Sequence, residues 1–228
     1  MQYNDYSGLL LVNKPVGITS FKLVHIIKKI FNVKKAGHCG TLDPLASGLM
    51  IVLVGKYTKF QDKFMKQDKV YYAEIKLGLK TDSGDLDGKI ISQSDFSHVT
   101  KDLIEKACKS FEGKQNQIPP MYSALKVNGQ KLYELARKGI TIERKPREIT
   151  IYNLDLVDYQ KDIFSIRVKC SSGTYIRTLA EDIGIKLNTD TVLTKLVREQ
   201  IGNYKLSDSA NIENIEEDCT KYLQQIDF

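Results

Sequence analysis

Residues 36–54 constrain the fold more than any other stretch. Gly37, Gly40 and Gly48 crowd one segment together with Pro44, and an uninterrupted apolar run, Leu49–Val54, follows at once. Such a run reads as a buried strand, so the loop before it must carry its backbone directly into the core. Glycine permits tight or left-handed turns and close approach of a ligand. Pro44 pushes Asp43 out of the helical region toward an extended conformation. One carboxylate is thereby placed just ahead of a buried strand. Judged by the local pattern alone, an Asp-Pro in a glycine-rich loop is an ordinary turn.

The remaining chain alternates strand and helix signals. Gly8–Asn13 reads as a buried strand ended by Lys14-Pro15, and Thr19 or Ser20 caps a helix with Leu23, Val24, Ile27, Ile30 and Phe31 on one stripe. A short helix carrying Phe60 and Phe64 is expected after Thr58. Lys69–Leu77 alternates, with Tyr71, Ala73, Ile75 and Leu77 on one face. An acidic loop, residues 78–88, leads to a strand at 89–92. Thr100 caps a helix closed by Gly113, residues 117–124 are stiff and extended, and a basic helix spans 131–138. Two antiparallel strands at 148–159 and 163–170 precede a helix from about Thr174 to Leu187, and Val192–Ile201 is a last strand. The expectation is a mixed α/β fold, one domain over residues 1–206 with an inserted element at about 118–147 and an acidic tail, 207–228, that is helical or loose.

Charge narrows the function. The net charge is +6, yet Ser207–Phe228 holds six acids and one base, which leaves 33 bases against 22 acids, +11, on the rest. A cationic body suits a polyanion such as nucleic acid. Between Lys22 and Lys63 stand eight lysines against Asp43 and Asp62. No apolar run is long enough to span a membrane. The start carries no basic region ahead of its short apolar run, so no secretory signal is expected and the cytoplasm is the expected location. Cys39, Cys108, Cys170 and Cys219 are scattered, and with only three histidines a metal site is not expected. The acids around Asp82, Asp85 and Asp87 lack the terminal glutamate of a calcium-binding loop.

Several motifs resemble the TruB family of pseudouridine synthases. Residues 37–48, GHCGTLDPLASG, resemble its Gly-His-Thr-Gly-x-Leu-Asp-Pro-x-Ala-x-Gly catalytic loop, with Cys39 where threonine is usual. NKPVGITS, the Lys-Tyr alternation at 69–77, the Thr-Asp-x-x-Asp signature at 81–85, QIPPMYSALKVNGQKLYELAR, GTYIR at 173–177 and Leu196-x-Arg198 fall in step. The resemblance covers roughly residues 8–215. It implies the pseudouridine synthase fold, with a mostly antiparallel mixed sheet. It implies Asp43 as nucleophile, Tyr71 stacking on the target base, and Arg177 flanked by Asp43 and Asp85. It places His38, Tyr175, Leu196 and Lys14 with the substrate, Lys14 being either architectural or phosphate-side. Family members commonly continue into a C-terminal RNA-binding PUA domain, and none is expected in this chain.

The chemistry implied is isomerisation of the T-loop uridine (position 55) of tRNA. Uracil is detached from C1′, turned and rejoined through C5, without cofactor or metal. Attack at C1′, attack at C6 and a glycal route all remain open. A nearby cation would keep Asp43 ionised, and an unpaired loop eases extrusion of the base. His38 either fills the space the base vacates or is a hydrogen-bonded loop histidine. The expected partner is the tRNA T-stem-loop, bound by a monomer. Two other readings stay open: a non-catalytic tRNA-binding or RNA-folding protein, and a glycoside hydrolase using Asp43 with Asp85. The absence of tryptophan speaks against the second.

Overall fold

The computed structural model describes residues 3–127 and 129–225; Asn128, half of an expected Asn128-Gly129 turn, lies outside them. In chain order the elements are β1 (Gly8–Lys14), α1 (Ser20–Ile30), β2 (Ala36–His38), β3 (Ala46–Val54), α2 (Gln61–Met65), β4 (Lys69–Leu77), β5 (Leu79–Thr81), β6 (Ile90–Gln93), α3 (Lys101–Ser110), β7 (Gly113–Gln117), β8 (Lys126–Val127), β9 (Gln130–Lys131), α4 (Leu132–Ala136), β10 (Arg147–Gln160), β11 (Ile163–Cys170), α5 (Ile176–Lys186), β12 (Thr191–Ile201), β13 (Tyr204–Lys205) and α6 (Ile212–Glu217). Short 3-10 turns lie at Gly55–Phe60 and Leu206–Asp208. The chain forms two compact units, residues 1–71 with 197–228, and residues 72–196.

In the first unit β3 is the central strand. It pairs antiparallel with β1, Gly8 opposite Val54 through Lys14 opposite Gly48, and with β2. Leu9, Leu11, Leu49, Ile51, Leu53, Cys39, Phe64 and Ile201 form its core. Each fully buried aliphatic side chain among them stabilises by about 1.5–3 kcal/mol. Helix α1 begins where expected, because the Thr19 hydroxyl accepts from the Lys22 N–H at 3.0 Å. Lys28 and Lys29 close it, in keeping with the helix dipole. The acidic tail is not loose. The Asn13 N–H donates to the Ala210 carbonyl, the Ala210 N–H donates to the Leu11 carbonyl, and Leu9 exchanges both main-chain bonds with Gln224, so the tail covers β1. Ile215 of α6 is buried.

In the second unit the strand order is β12–β4–β11–β10–β7, with β5–β6 and β8–β9 as separate ribbons. Strand β4 buries every second residue, as its alternation requires. The result is mixed α/β with a large, mostly antiparallel sheet, as expected. Some boundaries differ. Helix α5 starts at Ile176, not Thr174: Tyr175 is extended, and the Gln117 amide holds its N–H at 2.8 Å and its carbonyl at 3.1 Å. The segment after Val54 winds as a 3-10 turn before α2, and Phe111, not Gly113, closes α3. No helix is long and apolar enough to cross a membrane among the described residues.

Candidate active site

The expected site residues divide between the units. Lys14, His38, Asp43 and Tyr71 belong to the first; Asp85, Tyr175, Arg177 and Leu196 belong to the second.

In the first unit, the loop between β2 and β3 carries Asp43, which is half-buried. Its main chain is tied on both sides. The Ser20 hydroxyl, at the first residue of α1, accepts from the Leu42 N–H at 2.8 Å and donates to the Leu42 carbonyl at 2.9 Å. The Gly17 N–H donates to the Pro44 carbonyl, and Ala46 N–H to that of Asp43. Gly48 has φ of +104°, and a Cβ there would sit 2.5 Å from the Arg198 carbonyl oxygen, so only glycine fits.

Lys14 is fully buried and turned into its own turn, donating to the carbonyls of Pro15 at 2.8 Å and Ile18 at 2.7 Å. That placement suits an architectural role. Burial lowers its pKa to about 8, against the opposing pull of Asp43, while the Arg198 cation pushes it the same way as burial. His38 is half-buried, and its Nδ1 meets no hydrogen-bond partner among the described residues. Burial first, then the Arg198 cation, hold it below the ordinary imidazole range, which favours the neutral ring. Its main-chain carbonyl accepts from Gln61 at 2.9 Å. The Cys39 thiol is buried, and burial pushes it up to about 12, so it packs and does not react. Tyr71 is 8% exposed, on the buried face of β4.

In the second unit, the loop between β5 and β6 carries Asp85, 4% exposed. Its Oδ1 accepts from the Ser83 hydroxyl and the Asp87 N–H, and its Oδ2 faces Arg177 Nε at 3.7 Å. The other two guanidinium nitrogens of Arg177 donate to the carbonyls of Ser83, at 2.7 Å, and Tyr122, at 2.6 Å. These partners resolve the conflict of a cation in the first turn of α5. Gly84, φ +77°, lets the loop close on that helix: a Cβ would lie 3.0 Å from Glu181 Oε1. Leu196 is 7% exposed and Tyr175 half-buried.

Sequence reasoning anticipated the Asp85–Arg177 pair but not Ser83, Tyr122, Gln117, Ser20 or Arg198. All five act through or upon main-chain atoms, which leave no residue-type signature. Among the described residues no group of three or more His, Cys, Asp or Glu side chains is placed to hold a metal.

Residues 28–176 match the model of the family described as TruB family pseudouridylate synthase (N terminal domain). The tRNA pseudouridine synthase B of Endomicrobium trichonymphae is 55% identical over 207 residues, covering 91% of this chain and 90% of that protein. The protein of the same name from Clostridium kluyveri is 46% identical, over 96% of this chain and 76% of its own length. Among solved structures, a chain of a Cbf5-Nop10-Gar1 complex superposes with a TM-score of 0.73 at 29% identity, over 92% of this chain. The present chain spans about half the length of that one, 54%.

Proposed function

The chain belongs to the TruB family of pseudouridylate synthases and has the pseudouridine synthase fold, and from that premise we propose that it isomerises the T-loop uridine (position 55) of tRNA. The observation that carries the proposal is the loop of residues 37–48. It holds the full glycine, histidine, aspartate and proline pattern, and its main chain is tied on both sides of Asp43 by Ser20, Gly17 and Ala46.

The target nucleotide is extruded, at a cost on the order of a few kcal/mol for an unpaired base. Asp43 acts as nucleophile, the C1′–N1 bond breaks, the uracil turns, C1′–C5 forms, and the bond to Asp43 breaks to return its carboxylate. C5 loses its proton and N1 gains one, so the reaction is redox-neutral and calls for no cofactor. Tyr71 stacks on the detached base, Arg177 orients charge in the site, and Asp85 orients Arg177. Tyr175 and Leu196 contact the nucleotide. The neutral His38 fills the space left in the stack. Exposed lysines of the first unit, among them Lys22, Lys29, Lys34, Lys35, Lys59 and Lys63, meet phosphates. The protein acts as a monomer in the cytoplasm.

The test is direct. Incubate the protein with an unmodified tRNA transcript and map pseudouridine by carbodiimide reaction, with a transcript carrying cytidine at position 55 as control. Pseudouridine at that position alone is the expected result. Tight binding without isomerisation would favour an RNA-folding protein instead, and pseudouridine elsewhere would move the target.

A further inference from the structure

Arg198 is the largest fully buried side chain among the described residues, at 1% exposure. It sits on β12 within the first unit and points at the Asp43 loop. Its Nε donates to the Leu49 carbonyl at 2.8 Å, and its terminal nitrogens donate to the carbonyls of Thr41, at 3.3 Å, and Gly40, at 3.2 Å. Two of these carbonyls precede Asp43 and one follows it. The Arg198 main chain also lies against Gly48, close enough that a Cβ there would clash.

Taking a guanidinium out of water is costly, and without it the carbonyls of Leu49, Thr41 and Gly40 would lose the bonds it gives them. A planar fork with five N–H donors can grip several carbonyls in fixed directions, which neither lysine nor an apolar residue can do.

We propose that Arg198 is a positioning residue: its guanidinium closes the loop on both sides of Asp43 and fixes where that carboxylate stands when the uridine arrives. The inference rests on the reading of Asp43 as nucleophile. Arg198 acts through the loop main chain and needs no contact with RNA. Its loss should therefore appear in turnover and not in substrate binding.

The experiment compares Arg198→Lys and Arg198→Gln with the unaltered protein on the same tRNA transcript, by steady-state and single-turnover kinetics well below the melting temperature. Each variant keeps at least one donor. The expected result is a fall in kcat of about 30- to 100-fold, the scale of a nucleophile misplaced by about 1 Å, with KM unchanged within about threefold. Arg198→Lys, which still donates in two or more directions, should keep more activity than Arg198→Gln. Amide exchange should quicken at residues 40–47 and stay slow in β1. A folded variant with the original kcat, or a loss confined to KM, overturns the proposal. If neither variant folds, Ser20→Ala, which loosens the same loop from α1, must show the same kcat-only loss, and full activity there overturns it equally. Asp43→Asn runs beside them. If it turns over normally, the reading of Asp43 fails; if it is inactive while Arg198→Lys is fully active, only the positioning role fails.

Discussion

Two glycine-containing loops each present an aspartate, Asp43 ahead of β3 and Asp85 between β5 and β6, and they differ in how far the carboxylate takes part in the recorded bonds that hold them. Around Asp43 the neighbouring side chains grip the main chain: Ser20 holds Leu42, and Arg198 holds Gly40, Thr41 and Leu49. Around Asp85 the main chain is gripped too, its carbonyl accepting from the Thr81 hydroxyl at 2.7 Å and the Ser83 hydroxyl at 3.1 Å, but the carboxylate joins the grip. It accepts from Ser83 and Asp87, faces Arg177, and is almost wholly buried. A loop tied through its carbonyls stays in place whatever its carboxylate does in a reaction. A loop tied through its carboxylate would loosen if that group were consumed. The contrast is in keeping with the proposed roles, chemistry at Asp43 and orientation at Asp85.

The sharpest way to break this contrast is to remove each charge in turn. Asp43→Asn should abolish pseudouridine formation while tRNA affinity stays within about tenfold, since one side chain adds little to phosphate-driven binding. Turnover by carbodiimide mapping and affinity by filter binding check it. Residual turnover near the original would exchange the roles of the two acids or abolish the distinction.

Arg177→Lys comes next. An ammonium cannot serve Asp85, Ser83 and Tyr122 at once, so turnover should fall by about 100-fold with the fold intact. Asp85→Asn should cost less, about tenfold, since the amide oxygen still accepts from Ser83 and Asp87, while the charged acceptor toward Arg177 is replaced by an N–H donor. The double variant should lose less than the product of the two, because both act through one pair. Multiplicative losses in a double-mutant cycle would separate Asp85 from Arg177 and leave Asp85 a purely local role.

A smaller effect concerns Lys14. Its folded pKa of about 8 lies below the unfolded value of 10.5. Between these values the unfolded chain binds a proton that the folded one has released. The contribution of this group to stability is therefore lowest below about pH 8 and rises toward 10.5. Urea titrations at several pH values should show the unaltered protein gaining on Lys14→Met across that window. A constant difference would mean that Lys14 is not charged against burial.

The smallest effect tests how firmly the Asp43 loop is shut. Iodoacetamide at neutral pH should label the partly exposed Cys219 and leave the buried Cys39 untouched until the protein unfolds. Mass spectrometry of labelled peptides reads this out. Comparable rates at the two thiols would show the loop opening, contrary to the clamp described for it.

Much of the fold was legible because it rests on periodicity. The apolar run Leu49–Val54 and the alternation of Lys69–Leu77 appear as β3 and β4, and the threonine caps at 19 and 100 start α1 and α3. Strand β7, Gly-Lys-Gln-Asn-Gln, was not legible: it has no apolar period and exists because β10 offers it hydrogen bonds, Ile151 opposite Gly113 through Arg147 opposite Gln117. The ribbons β5–β6 and β8–β9 are too short for a period to show. The acidic tail read as helical or loose because its binding to β1 is made by main-chain atoms of Ala210 and Gln224.

The sequence by itself determined the mixed α/β class and the family, and it supplied the residues proposed for the chemistry, because side-chain identity and spacing are written directly in it. Tertiary structure alone decided what holds them. That Arg198, more than 140 residues along the chain, grips the carbonyls of Leu49, Thr41 and Gly40, and that Gln117 sets where α5 begins, are matters of main-chain acceptors. Every residue carries such an acceptor, so no residue type marks which of them a distant side chain will choose; only the folded path of the backbone brings donor and carbonyl within reach.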